Sequence, residues 1–121
     1  MKVHQLSIQN PTDCPTFDMI KTGIKTVEGR KNSAKYQEYC IGDIIQFHCG
    51  NETVKAKITY IHKYADVHDY LRGETLKRAL PNIKTIKKAI EMYARWVPPS
   101  EIAELRKRYG YGFLGIGIAL I

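Results

Sequence analysis

The chain lacks the sequence features of a membrane, secreted or metal-binding protein. It contains no run of about twenty apolar residues, the length that a membrane-spanning helix needs. Its N-terminus alternates polar and apolar residues, whereas a signal peptide places an apolar stretch after a basic one. Its three cysteines, Cys14, Cys40 and Cys49, are odd in number and widely spaced, which favours reduced thiols. We therefore expect an intracellular protein, cytoplasmic or nuclear, with no membrane partner.

Metal and cofactor signatures are equally scarce. Neither C-x-x-C nor H-x-x-x-H spacing occurs, and the pairs His48 with Cys49 and His62 with His68 are weak metal candidates. Residues 110–115 spell G-x-G-x-x-G, but a helical pattern precedes them and a strand pattern follows. Dinucleotide binding needs the reverse order, with the strand first. We predict no metal site and no cofactor.

The composition is that of an ordinary globular domain. The 121 residues are 44% hydrophobic and 26% charged, without repeats or low-complexity runs. This length allows one packed core that buries roughly two thirds of the unfolded surface, and it is too short for two domains. We predict a single domain over residues 1–121.

The positive charge of this basic protein is localised. The formal net charge is +7, and residues 77–108 hold nine Lys or Arg against three acidic residues, whereas residues 1–76 hold ten against nine. Such a concentration favours a polyanionic partner, because each neutralised phosphate releases counterions. The alternative is a solvated basic helix with no partner.

Period-two hydrophobic patterns predict strands near both ends and in the middle of the chain. They cover residues 3–8, 44–49 and 111–120, and Gly50-Asn51 makes a tight turn into a further strand. In that strand one face is predicted to carry Val54, Ala56, Ile58, Tyr60 and His62, and the other Lys55, Lys57 and Lys63. In the last strand Gly115 and Gly117 leave one face without bulk, which suits a packed neighbour or a ligand.

Helical patterns occupy much of the rest. One helix ends near Gly23, short helices over 67–71 and 76–80 are separated by Gly73, and a longer one covers 83–96. Pro98-Pro99 stops that helix, and Ser100 can cap the next. These elements predict an α+β fold in which a small, mostly antiparallel sheet closes on itself with helices outside.

The segment 22–30 concentrates ionisable residues after a helix end. An apolar stripe of Phe17, Met19, Ile20 and Ile24 precedes it, and Gly23 suits the left-handed position that closes a helix. Lys25, Glu28 and Arg30 follow within six residues. On a regular strand Glu28 and Arg30 share a face, and Lys25 joins them only if the chain bends where helix meets strand. The alternative is that these charged residues form a solvated face of the strand and no functional site.

The pattern G-x-K-x-x-E-x-R over residues 23–30 resembles the signature of the ASCH domain, a family of the PUA-like superfamily. Further segments in the same order resemble other parts of that family, namely residues 41–47, 58–64, 80–81, 93–96, 100–101 and 112–116. The resemblance covers nearly the whole chain. It implies a PUA-like β-barrel with helices packed around it and a cleft between barrel and helices.

The first functional hypothesis is a nucleic-acid-binding module, with RNA as the favoured partner. The resemblance implies it, and the localised charge and aromatic residues such as Tyr36, Tyr39, Tyr64, Tyr93 and Trp96 are consistent with it. Core packing is the alternative for the aromatics. The predicted binding residues are Gly23, Lys25, Glu28, Arg30, Lys35, Tyr36, Tyr64, Lys84, Lys87, Lys88, Arg95, Arg106, Lys107 and Arg108.

The second hypothesis is a hydrolase acting on a modified nucleoside or on RNA. Some ASCH relatives resemble amidohydrolases that deacylate N4-acetylcytidine with a lysine matching Lys25, a threonine three residues later and a distant glutamate. Here Glu28 stands at the threonine position, so Lys25 and Glu28 are the catalytic candidates. Thr26, Glu91 and Glu101 are secondary candidates, and a ribonuclease is equally open. A third hypothesis is a protein-interaction or coactivator module.

Overall fold

A computed structural model describes all 121 residues. Its strands are β1 (Val3–Ser7), β2 (Val27–Lys31), β3 (Ile44–Cys49), β4 (Glu52–Tyr64) and β5 (Phe113–Leu120). Its helices are α1 (Thr16–Lys21), α2 (Ala34–Gln37), α3 (Val67–Glu74), α4 (Leu76–Ala79), α5 (Ile86–Trp96) and α6 (Pro99–Tyr109). No helix combines the length and the apolar character needed to cross a membrane.

The strands form one mixed sheet in the order β1-β3-β4-β5-β2. All neighbouring pairs are antiparallel except β1 with β3, which is parallel. The sheet curves into a half-barrel with β1 and β2 at its two edges, and the six helices pack around it. The predicted α+β architecture, a mostly antiparallel sheet with helices packed around it, is confirmed, and the sheet forms a half-barrel.

Two apolar clusters cover the two faces of the sheet. Alternation along β5 divides them, because Leu114, Ile116 and Ile118 pack in one cluster and Phe113 in the other. The first cluster also takes Phe17 and Ile20 from α1. The second takes side chains from β2 and from the helices α1, α3, α4, α5 and α6. The helices are therefore held by burial of their apolar stripes against the sheet.

The prediction that five alternate residues of β4 share one face was wrong. The register with β5 shifts between Ile58 and Tyr60, so Ile58 pairs with Ile118 whereas Tyr60 pairs with Gly117. Because of this irregularity, Tyr60 packs against the second apolar cluster. Ile61 instead packs against the first cluster, which contains Ile58. Its cause is pairing between distant segments, which the local pattern of β4 does not contain.

The glycines of β5 make room for aromatic side chains from β4. A Cβ on Gly117 would collide with the ring of Tyr60, and one on Gly115 would press on Tyr64 and on Glu74. Glu74 is 1% exposed, and it accepts hydrogen bonds from the hydroxyls of Tyr60 and Tyr64. The bare face predicted for this strand therefore packs against neighbours.

Two predicted helix boundaries differ from the structure. Gly73 lies inside α3, where the ring of Tyr64 packs against it, and the break between α3 and α4 falls at Thr75 with φ of +75°. Ser100 lies inside α6, which Pro98 and Pro99 begin, and it does not cap that helix. In α5, Thr85 is the cap and accepts a hydrogen bond from the amide of Lys88 at 3.2 Å.

Replacing Gly117 with Ala should lower the free energy of unfolding by about 1–3 kcal/mol, because the added methyl displaces the Tyr60 ring. Urea unfolding measures the change. The exposed neighbour Ala119, replaced with Ser, serves as control and should stay within about 0.5 kcal/mol of the native protein. Tyr60→Ala should lower the free energy of unfolding by less in the Gly117→Ala variant than in the native protein. Strictly additive effects would contradict this account.

Candidate functional site

A cleft of about 410 Å³ lies where the two edge strands of the half-barrel approach each other. Residues 7–9 at the end of β1 form one wall, and residues 28–31 of β2 form the other. The lining is completed by Thr16, Lys25, Tyr36 of α2, and Tyr93, Arg95, Trp96 and Val97 at the end of α5. The cleft is within the volume range of small-molecule sites.

Lys25 reaches the floor of the cleft because the chain bends before β2 begins. Gly23 has φ of +81° directly after α1, and the amide of Lys25 then donates to the carbonyl of Met19 at 3.0 Å. The Lys25 side chain is 1% exposed, and its Nζ lies 3.6 Å from Oε1 of Glu28. Lys25 therefore joins the Glu28 and Arg30 cluster, which strand alternation alone did not predict.

The Lys25 ammonium is surrounded by oxygen atoms. It donates to the carbonyl of Val27 at 2.8 Å and to the carbonyl of Ala79 in α4, in addition to its contact with Glu28. Two hydrogen bonds and one ion pair at 3.6 Å therefore stabilise the buried ammonium. Lys25 thus links β2 to α4 beneath the cleft.

Glu28 forms a second ion pair with Arg30. Nη2 of Arg30 donates to Oε2 of Glu28 at 3.2 Å, and Nη1 of Arg30 donates to the Tyr36 hydroxyl at 3.2 Å. The side chain of Glu28 is 8% exposed and that of Arg30 is 23% exposed. The carboxylate therefore lies deep in the cleft between two cations, with the guanidinium nearer the opening.

Burial and charge oppose each other in this cluster. Burial acts to raise the pKa of Glu28, but the neighbouring charges of Arg30 and Lys25 hold it below its usual value. Burial lowers the pKa of Lys25, and Glu28 partly opposes that change. Burial also acts to lower the pKa of Arg30, but Glu28 and Tyr36 keep it above its usual range. Glu28 and Arg30 are therefore charged at neutral pH.

Aromatic side chains form the apolar part of the lining. Tyr36, Tyr93 and Trp96 contribute rings, and the Trp96 residue is 37% exposed. Tyr93 packs edge-on against Trp96 with ring centroids 5.2 Å apart, and its hydroxyl shares a hydrogen bond of 3.0 Å with that of Tyr70. Tyr93 and Tyr36 are buried at 3% and 8% exposed, so Trp96 is the ring of the lining that a ligand can reach most readily.

The cleft is cationic overall. Its charged lining residues are four cations, Lys25, Arg30, Lys31 and Arg95, and one anion, Glu28. Lys31 pairs with Glu101 at 2.6 Å and Arg95 with Asp13 at 2.7 Å, both in partly exposed positions. A surface with aromatic rings, a buried acceptor and several cations suits a planar, hydrogen-bonding ligand that carries negative charge.

The other predicted binding residues lie outside the cleft. Gly23 forms the bend beside Leu120, and Lys35 lies over the Tyr36 ring at 5.3 Å. Tyr64 packs on Glu74 and Gly73. The remaining basic residues are exposed on or beside α5 and α6, namely Lys84, Lys87, Lys88, Arg106, Lys107 and Arg108. Their contribution to binding stays a prediction.

The secondary catalytic candidates are also outside the lining. The backbone amide of Thr26 donates to the carbonyl of Arg78, and its carbonyl accepts from the amide of Ile118. Glu91 is exposed on α5. Of these three residues Glu101 lies nearest to the cleft, because it pairs with Lys31 in the cleft wall.

Several lining residues were not predicted from the sequence. Ser7, Ile8, Gln9 and Thr16 belong to segments with no charged or aromatic pattern. Lys31 was also not predicted, although it directly follows Arg30 and extends the charged segment by one residue. Only the pairing order of the sheet brings residues 7–9 to β2.

The histidines form other contacts. His48 bonds Gln5, and His62 donates from Nδ1 to Glu74 at 2.7 Å. His68 lies near Asp66 and Asp69 in an arrangement that could hold a cation, but Asp66 already accepts the amide of Asp69 as the cap of α3. Exposed acidic groups of this kind are common without a bound ion.

Comparisons with known proteins agree with this architecture. The crystal structure of the hypothetical protein PH0355 has a TM-score of 0.79 and 29% identity, with 100% of both chains covered. The solution NMR structure of protein PF0455 from Pyrococcus furiosus has a TM-score of 0.72 and 26% identity, covering 98% of this chain and 97% of that one. No curated protein sequence matches the chain.

The half-barrel with surrounding helices places the protein among PUA-like folds. The family model of the ASCH domain matches residues 12–111, and the chain belongs to the ASCH domain family. The resemblance noted in the sequence is thereby confirmed. Membership supports a role in RNA binding at the level of the family.

Replacing Glu28 with Gln should destabilise the protein by roughly 3 kcal/mol at neutral pH, because the buried ammonium of Lys25 and the partly buried guanidinium of Arg30 lose their carboxylate. The folded pKa of Glu28 lies below 4.5, so its stabilisation is present above that value and is lost as pH falls through the folded pKa. The difference between variant and native protein should therefore shrink in acid. Urea unfolding at about pH 7 and about pH 3 measures it, with the exposed Glu104→Gln as control. A difference that is constant with pH would contradict the assignment.

Proposed function

We propose that the protein binds RNA and holds one unpaired base in the cleft between β2 and the end of α5. The observation that carries this proposal is the ion pair of Arg30 with the buried carboxylate of Glu28 in the same cleft as the exposed ring of Trp96. Membership of the ASCH family supports the same partner. The proposal accounts for an aromatic surface and a polar floor in one small cavity.

The two parts of the cleft have complementary roles in this proposal. A base stacks on the exposed ring of Trp96, which is favourable for any base because each base presents a π face. Arg30 keeps N–H groups that neither Glu28 nor Tyr36 uses, and these donate to a base carbonyl or a phosphate oxygen. Glu28 accepts from an exocyclic amino group. Splayed, single-stranded RNA supplies such bases, whereas a duplex hides them.

The basic surface of α5 extends from the cleft and contacts the RNA backbone. Arg95 lines the cleft and lies on the same helix as Lys87 and Lys88, which are exposed. A strand whose base enters the cleft therefore leaves it near a row of cations. Phosphate contacts there add affinity without reading sequence.

Variants of the two surfaces should lower RNA affinity in different ways. Trp96→Ala should weaken binding of single-stranded RNA by roughly 5- to 150-fold, the value of one stacked base, with little change in salt dependence. Lys87→Ala with Lys88→Ala should lower the slope of log K against log salt by about 0.7 for each phosphate that the protein no longer neutralises. Fluorescence anisotropy at several salt concentrations measures both.

Matched controls separate these effects from general damage. Trp96→Phe keeps a stacking ring and should retain most of the affinity, and Tyr109→Ala removes an exposed ring outside the cleft and should change little. Lys55→Ala with Lys57→Ala removes two exposed charges from β4 and should leave the slope unchanged. Full RNA affinity in Trp96→Ala would exclude the cleft from the RNA interface. An unchanged salt slope in the Lys87 and Lys88 variant would exclude α5 from it.

The second candidate function is hydrolysis of an acylated nucleoside or of RNA. The observation that favours it is Lys25, whose pKa burial lowers and which lies 3.6 Å from Glu28 in the cleft. A lysine whose pKa is lowered in this way is a candidate for acid-base work. Against this function, Lys25 already donates to the carbonyls of Val27 and Ala79 and forms an ion pair with Glu28 at 3.6 Å.

Incubation with N4-acetylcytidine and with structured RNA, followed by mass spectrometry, tests this candidate. Hydrolysis predicts deacetylated or cleaved product that is absent with Lys25→Ala. Circular dichroism of that variant establishes whether it is folded. If both proteins form product equally, Lys25 has no role in catalysis. If neither forms product but the native protein still binds RNA, the function is binding.

A further inference from the structure

A second cavity, of about 630 Å³, lies on the helical side of the molecule between α3, α5 and α6. We call it the helical groove. Its floor is formed by Val67, Ile90 and Ile102, and Val97 is the one residue that it shares with the cleft. Val67 and Ile102 are 7% and 6% exposed, so the floor is part of the packed core.

Small residues keep the groove open. Ala94 on α5 and Ala103 on α6 are both exposed and line its walls, and Gly110 lies at its end in the left-handed conformation that closes α6. Alanine lets another backbone approach closely, because it carries only a methyl group. The aliphatic lining contains no Phe, Tyr or Trp, in contrast to the cleft.

The charges at the groove are unbalanced. Arg106 and Lys107 lie in its wall, and neither has a carboxylate within 4.0 Å among the ion pairs of the protein. The acidic residue of the lining, Asp66, caps α3 by accepting the amide of Asp69 at 2.9 Å. With two cations against one carboxylate the groove lining has a net positive charge, and the whole chain carries +7.

We propose that the helical groove binds an acidic amphipathic helix of a protein partner. Aliphatic side chains of that helix would pack on Val67, Ile90 and Ile102, and its carboxylates would pair with Arg106 and Lys107. Grooves between helices commonly bind a partner helix through apolar side chains at helical spacing. Charge complementarity selects an acidic partner and speeds association.

Two other occupants fit the groove less well. Nucleic-acid bases stack on aromatic side chains, and the groove has an aliphatic floor. A second copy of this chain would bring another net charge of +7 against the same cations. The proposal thus assigns Arg106 and Lys107 to a protein partner, while Lys87 and Lys88 remain with RNA.

Selection from a display library of random peptides of about fourteen residues, roughly four helical turns, tests the proposal. The full chain is the bait, and Ala103→Trp, which fills the groove from an exposed position, is the counter-selection. Ser100→Trp, also exposed on α6 but outside the lining, is the matched control. Enriched peptides should combine Leu or Ile at helical spacing with Asp or Glu, and they should bind the control.

The selected peptides are then measured in solution. Methyl NMR signals of the groove floor should shift on binding, and Arg106→Glu with Lys107→Glu should weaken binding at least about tenfold. The same charge reversal at Lys87 and Lys88 should change affinity less than about threefold, because those residues lie outside the groove.

Four outcomes would overturn the proposal. They are peptides that bind Ala103→Trp equally well, peptides enriched in basic residues, shifts confined to the cleft, and failure to enrich any sequence. Concentration-dependent dimers of the native chain that Ala103→Trp abolishes would assign the groove to a second copy instead. An RNA affinity that falls equally in the two charge-reversed variants would assign Arg106 and Lys107 to RNA.

Discussion

The buried ammonium of Lys25 is the interaction on which the arrangement of the cleft depends. It lies at the point where α1 turns into β2, and it bonds the carbonyls of Val27 and Ala79 and approaches Glu28. One side chain therefore connects the edge strand to α4 and balances a buried carboxylate. Burying charge is costly unless it is paired and hydrogen-bonded, and each partner of Lys25 reduces that cost. Glu28 in turn fixes Arg30, and Arg30 fixes the hydroxyl of Tyr36. The polar floor of the cleft is thus one connected network.

The sequence predicted those parts of the fold that local patterns determine. β3 was predicted with its observed limits, because Gly42-Asp43 before it and Gly50-Asn51 after it are turn signals that bracket one alternating run. The irregularity in β4 was not predictable in the same way, because it arises from pairing with β5. The helix break predicted at Gly73 was wrong for a related reason, since this glycine is a site of close approach by the distant ring of Tyr64. In the site, the chain pattern identified Lys25, Glu28 and Arg30, whereas the wall at residues 7–9 depends on the strand order of the whole sheet.

The two cavities of the protein differ in the chemistry of their linings. The cleft has aromatic rings together with an ion pair whose carboxylate is buried, and the helical groove has aliphatic side chains beside unpaired cations. They meet at Val97, where α5 has ended and Pro98 begins the turn into α6. Consecutive residues here face different cavities, because Ala94 lines the groove, Arg95 and Trp96 line the cleft, and Val97 lines both. The concentration of positive charge over residues 77–108 therefore does not describe a single surface, and its cations belong to at least two.

The pairing of charges inside the cleft also bears on the proposed recognition of a base. Glu28 is already neutralised by Arg30 and Lys25, so a ligand does not have to compensate a lone buried charge. The Glu28 and Arg30 geometry is fixed by Tyr36 and by the carbonyls around Lys25, which reduces the entropy cost of binding. A base whose donors and acceptors match this floor therefore binds more tightly than a base that leaves a polar group unpaired. In the proposed complex, selectivity for a base therefore comes from the cleft, whereas the exposed cations on α5 add affinity by contacting any RNA backbone alike.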